Sequence, residues 1–272
     1  MIYMGLFLAG LSFKAAAAAD TTLQLKPVLF VAGAYKDVYA DNLNNIYLIT
    51  AANQVKKVSD SGDSLAVYND VRRYGNLYSM DVSNPLKIIV YYKDFTTLAV
   101  LDRFLNLQQT IDLRKTGILQ ATAVAQSYDN NYWVFDEVDN KIKKIDDAGT
   151  VIFESADFRV VFPEAVRPGK LIDNNGLLYL YDEHKGWYLF DYYGAYKLHI
   201  PAAGWKDVQV IGKLLTGRDS VSFKTCDPVT MMDRTYAPGE AFTSAIKITR
   251  FGNKVAFLKS DGLHIFDIQQ NN

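Results

Sequence analysis

Short apolar runs recur along the chain, each bounded by polar turn residues. Ile46-Tyr-Leu-Ile, Ile88-Ile-Val-Tyr-Tyr, Tyr132-Trp-Val-Phe, Leu177-Leu-Tyr-Leu-Tyr and Val255-Ala-Phe-Leu are the plainest. After a short polar loop, each is followed by a second apolar stretch and then by a turn often rich in Asp and Gly. Runs of this length, rich in β-branched and aromatic residues, predict strands joined as hairpins.

The hairpins repeat. Asn53-Gln-Val-Lys-Lys-Val-Ser-Asp-Ser-Gly62 aligns without a gap on Asn140-Lys-Ile-Lys-Lys-Ile-Asp-Asp-Ala-Gly149. Their separation is about two units of roughly 40–45 residues, the length of a propeller blade. A further strand is expected after each hairpin, at Ser64–Tyr68, Leu107–Leu113, Thr150–Glu154 and Ala195–Ile200. Another is expected before each, at Asp37–Ala40, Leu77–Asp81, Thr122–Gln126, Lys170–Asp173, Val208–Ile211 and Ile246–Arg250. Those six leading strands count the units. The pattern predicts an all-β fold, a six-bladed β-propeller of four-stranded antiparallel blades.

The last unit is one strand short, with Ile246–Arg250, Lys254–Leu258 and Leu263–Asp267 only. The apolar segment Leu23–Ala32 is expected to supply its outer strand and close the ring, which also protects an edge. Blade five departs from the repeat. Thr225–Gly239 lacks the alternation of the other units and predicts an irregular outer strand followed by a loop. Met231 and Met232 there would give an adaptable contact surface.

The third unit carries Asp129-Asn-Asn-Tyr-Trp-Val-Phe-Asp136, then Asn140-Lys-Ile-Lys-Lys-Ile-Asp146 and Gly149. It resembles the NHL repeat, and units one and four carry weaker versions. The resemblance implies the NHL-like six-bladed propeller group over residues 23–268, and implies little about function. Trp-Asp signatures, Gly-Gly kelch pairs and sialidase-type Asp boxes are missing from the sequence.

Composition narrows the picture. The 272 residues include 18 Tyr and 15 Phe, which suit half-buried pleated surfaces. A net charge of −1 supplies no field for nucleic acid or an anionic membrane. The lone Cys226 excludes an internal disulfide. The three histidines, His184, His199 and His264, form no zinc-type pair. No nucleophile elbow, phosphate loop or dinucleotide fingerprint occurs, so no catalytic residue and no cofactor is assigned. His184, beside Asp182 and Glu183, is the one histidine worth testing. At the N-terminus, Met4–Phe13 is an apolar run too short to span a membrane, followed by Ala15–Ala19. Residues 1–19 are read as a signal peptide, and residues 20–272 as one secreted or periplasmic domain.

Call the strands of each blade A to D, from centre to rim. In an antiparallel meander the B–C and D–A loops then emerge on one face. Cations and aromatics gather in the predicted D–A connections: Arg72, Arg73, Tyr74, Arg114, Arg167, Trp205, Arg234 and Tyr236. Arg and aromatic side chains anchor protein interfaces. These eight are the candidate partner-binding residues, facing B–C loops rich in acid (Asp94, Asp136, Glu137, Asp139, Asp182, Glu183, Asp261). The favoured function is a non-catalytic binding or scaffold propeller of the cell envelope or secretome, engaging a protein partner. The alternative is a metal-dependent hydrolase or lactonase acting at the channel, with Asp41, Asp81, Asp129 and Asp173 as ligands. A third reading makes the chain a subunit of a larger assembly.

Overall fold

The computed structural model describes residues 24–237, 242 and 244–269. The proposed signal peptide lies outside the described residues. Six four-stranded antiparallel sheets make up the described part of the chain. The inner strands are Tyr35–Ala40, Ser79–Asp81, Ala121–Gln126, Lys170–Asn174, Lys206–Ile211 and Lys247–Phe251. The chain is a six-bladed β-propeller, with each of the first five blades a meander from the centre outward.

The ring closes as the missing strand predicts. The N-terminal strand Gln24–Ala32 pairs with Gly262–Gln269 and forms the rim of blade six. A bulge between Pro27 and Leu29 breaks the register, with Val28 as the extra residue. Proline is tolerated there because a rim strand has one unpaired edge.

Second strands are apolar on both sides because both sides are covered. In Ile46–Thr50, Tyr47 and Ile49 pack toward blade two, while Ile46 and Leu48 pack toward blade six. The same division recurs between each pair of neighbouring blades, giving six separate hydrophobic clusters. Trp133 and Trp187 are fully buried in two of them. This explains why those strands read as unbroken apolar runs instead of alternating ones.

Blade five is more regular than its sequence suggests. Its outer strand, Met232–Tyr236, pairs with Phe223–Asp227 in unbroken register from Met232 opposite Asp227 to Tyr236 opposite Phe223. The expected irregularity is corrected for a physical reason. Met232 to Thr235 are all exposed at the rim, so the strand needs hydrogen-bonding partners but no apolar face. The turn before it is fixed by Asp227, whose carboxylate accepts the N–H groups of Val229 and Thr230.

No described helix is long and apolar enough to cross a membrane. Two single-turn helices, Val71–Tyr74 and Phe158–Val161, and a 3-10 turn, Leu113–Thr116, lie between blades.

Candidate loop face and channel

The D–A connections lace into the B–C loops. Leu113 donates its N–H to the Thr96 carbonyl at 3.0 Å, and Glu137 donates to Gln120 at 2.9 Å. Phe158 donates to Asn140 at 2.8 Å, and Gly204 to Glu183 at 2.7 Å. The Arg167 N–H reaches the Asp182 carboxylate at 2.7 Å. One face of blades two to five is thus a continuous hydrogen-bonded platform, held on rigid sheets.

Its acids hold the loops themselves. Asp136 accepts from the N–H groups of Val138 and Asp139. Asp182 accepts from His184 as well as Arg167. Asp219 accepts from Val221 and Ser222. A carboxylate closing its own turn is the ordinary Asx arrangement. Asp136 is also buried against Lys143 at 2.8 Å, and Lys143 reaches Asp139 at 2.5 Å.

The eight predicted partner-binding residues separate into groups. Arg72, Arg73 and Arg167 are exposed on the platform side. Arg73 lies over the Tyr74 ring at 5.0 Å from its centroid. Arg114 is also exposed, but its Nε is 3.0 Å from Asp112, whose carboxyl is held below the usual range by that hydrogen bond. Tyr74 and Trp205 turn inward and are buried between blades, so neither is a surface anchor. Arg234 and Tyr236 are not in a D–A connection; they lie on the outer strand of blade five. Arg234 lines a rim groove of about 390 Å³ together with Trp205, Lys224 and Cys226. Burial, reinforced by a hydrogen bond to Asp233, pushes the Cys226 thiol up to about 12, far from thiolate reactivity.

Apolar side chains also stand exposed on the platform. Phe95, Leu119, Val138, Val160, Val161 and Val221 are all exposed in its loops, Val160 by 84% and Leu119 by 62%. The Thr96 hydroxyl lies 3.5 Å from the Leu119 carbonyl, the Glu137–Gln120 bond sets Leu119–Gln120 beside Glu137–Val138, and the Phe158–Asn140 bond sets Asn140 beside Phe158. Their sequence signal is a large apolar residue in a connection between strands, where turn chemistry has no use for one.

The carboxylates named for a metal do other work. Asp41 closes its own turn through the N–H groups of Leu43 and Asn45 and accepts the Tyr47 hydroxyl at 2.9 Å. Asp129 pairs with Lys144 at 2.5 Å. Asp173 accepts Trp133 Nε1 at 2.8 Å and the Tyr192 hydroxyl at 3.0 Å. Asp81 accepts the N–H groups of Ser83 and Gln126, each at 2.8 Å. Among the described residues no three His, Cys, Asp or Glu side chains converge as a metal site. His184 is exposed, His199 Nε2 lies 2.9 Å from the Lys185 carbonyl, and His264 pairs with Asp261 at 2.9 Å.

The channel at the centre of the ring forms an open cavity of about 600 Å³. Inner strands of blades one, two, four, five and six line it, with Tyr39, Lys170, Gln209 and Lys247 among the polar side chains.

No family model matches the chain, and no curated protein matches it. Solved structures do. Virginiamycin B lyase from Staphylococcus aureus is similar at 11% identity and a TM-score of 0.58, over 91% of this chain and 99% of that one. BamB from Moraxella catarrhalis is similar at 11% identity and a TM-score of 0.54, over 92% and 95%. The extracellular domain of a one-component system from B. thetaiotaomicron matches at 11% identity and a TM-score of 0.55, over 88% of this chain but 34% of that one. At such identity these likenesses show the propeller fold alone. The NHL-like resemblance therefore stands at the level of the six-bladed ring.

Proposed function

We propose that this propeller is a non-catalytic binding module, exported to the cell envelope or beyond, that takes a protein partner on its D–A loop face. The observation that carries this reading is the exposed apolar arc of Phe95, Leu119, Val138, Val160 and Val161. It lies on loops tied together by backbone hydrogen bonds and is flanked by Arg72, Arg73 and Arg114. Contiguous exposed apolar surface rimmed by polar residues is the mark of a docking surface. Arg supplies the orienting rim. Export rests on the apolar and alanine-rich pattern of residues 1–19.

Substitution tests the face. Leu119→Asp together with Val160→Asp puts charge into the arc without touching a core residue. Capture of a defined partner from an envelope extract should fall about tenfold or more, the effect of losing roughly 1.4 kcal/mol or more of binding. Tyr193→Asp with Val229→Asp, both in C–D turns on the opposite face, should leave capture unchanged. The reverse pattern would overturn the proposal.

A further inference from the structure

Among the described residues, one cation in the channel has no partner. Lys170 is the first residue of the inner strand of blade four and lines the central cavity. Among the described residues its ammonium makes no ion pair and no hydrogen bond. Its closest aromatic neighbour is the Tyr39 ring, with Nζ 6.0 Å from the centroid. Lys247 lies over that same ring at 4.0 Å. Burial, partly offset by the nearby Asp81, holds the Lys170 ammonium below its usual pKa.

The acids around the cavity do not reach Lys170 because each is held elsewhere. Asp37 is paired with Lys247 and accepts the Val38 N–H. Asp81 binds the N–H groups of Ser83 and Gln126. Asp173 binds Trp133, Ser127 and Tyr192. Asp207 is 2.5 Å from Arg218 Nε and also accepts the Ile248 N–H at 2.9 Å. Most of these bonds join one blade to the next, so the carboxylates cannot swing to Lys170 without opening an interface. An ammonium inside a protein is costly unless something compensates it. Here the fold supplies a space in place of a partner.

We propose that the channel is a binding site for a small organic anion, whose carboxylate or phosphate group pairs with Lys170 on the Tyr39 side of the cavity. The volume of about 600 Å³ lies within the usual range for small-molecule sites, roughly 300–1,000 Å³. Ala40, Ile172, Val208 and Val210, each partly exposed, give the lining an apolar share that suits the carbon skeleton of such a ligand. Ser79 and Thr249 add hydroxyls. The site does not depend on the loop face being a docking surface, since its residues belong to the inner strands.

Titration calorimetry of the full chain with inorganic phosphate, acetate and citrate tests the proposal. At least one should bind the wild type. Lys170→Met and Lys170→Gln should weaken that binding about tenfold or more, as expected for losing a charge-assisted hydrogen bond. Lys170→Arg should retain it, and Lys206→Met, at an exposed position on the neighbouring inner strand, should not change it. Removing an uncompensated cation should also leave the unliganded protein at least as heat-stable as the wild type. Absence of binding by all three anions at millimolar concentration would overturn the proposal, as would equal binding by the Met and Gln variants. Failure of both variants to fold would also overturn it, because Lys170 would then be structural.

Discussion

Asp219 shows how one carboxylate orders a loop of the platform. It accepts the N–H groups of Val221 and Ser222 at 2.8 and 2.7 Å, and pairs with Lys224 at 2.9 Å. Burial works against its ionised form, but Lys224 and those donors outweigh burial and hold the carboxyl at about 2. The folded-state pKa is thus below the unfolded value of about 3.9. Its stabilising effect is complete above that value and disappears as pH falls through about 2. Asp219→Asn should therefore lower the melting temperature at neutral pH, and the gap from wild type should close between about pH 4 and pH 2. Parallel melting curves of constant separation across that range would contradict this role. Other residues were readable directly from the repeat. Asn53 and Asn140, which begin its two copies, both have positive φ, at 61° and 52°. Gly62 and Gly149, which end them, have φ of 92° and 83°. The aligned ends are left-handed turn positions, where Asn and Gly are favoured. By contrast, the inward turn of Tyr74 and Trp205 depends on packing between blades that are distant in sequence, so residue type alone points to the wrong surface.

At the scale of elements, closure is the decisive event. Among the described strands, Gln24–Ala32 alone joins a blade from the far end of the sequence. Leu29 and Val31 turn inward onto the cluster shared by blades six and one, whereas Val28 is 44% exposed. Leu29→Asp should cost about 3 kcal/mol by placing a charge in that cluster. That cost corresponds to a fall in melting temperature of roughly 6–12 °C for a domain of this size. Val28→Asp should leave it nearly unchanged. Equal effects from the two substitutions, measured by calorimetry, would count against this closure. The strand pattern itself was legible because two-sided burial produces apolar runs, and one unit lacked a strand. The outer strand of blade five was not legible, because a rim strand with both faces in water carries no hydrophobic period.

For the whole molecule, the meander fixed which loops share a face, and that much followed from strand order alone. The platform that results is structurally stiff and chemically mixed. Its acids close turns, Arg114 is paired with Asp112, and the remaining exposed surface is the apolar arc with Arg72, Arg73 and Arg167. Charge counting missed this, because local pairing cancels much of what the sequence displays as a patch. The channel holds the complementary case, a lysine whose lack of a partner is visible only when the ring is closed. A photo-crosslinking amino acid placed at Val160, and in a second protein at Tyr193, separates the two faces most directly. The account predicts a discrete adduct in envelope extract from Val160, abolished by Leu119→Asp, and none from Tyr193. A discrete adduct from Tyr193 with none from Val160 would contradict it.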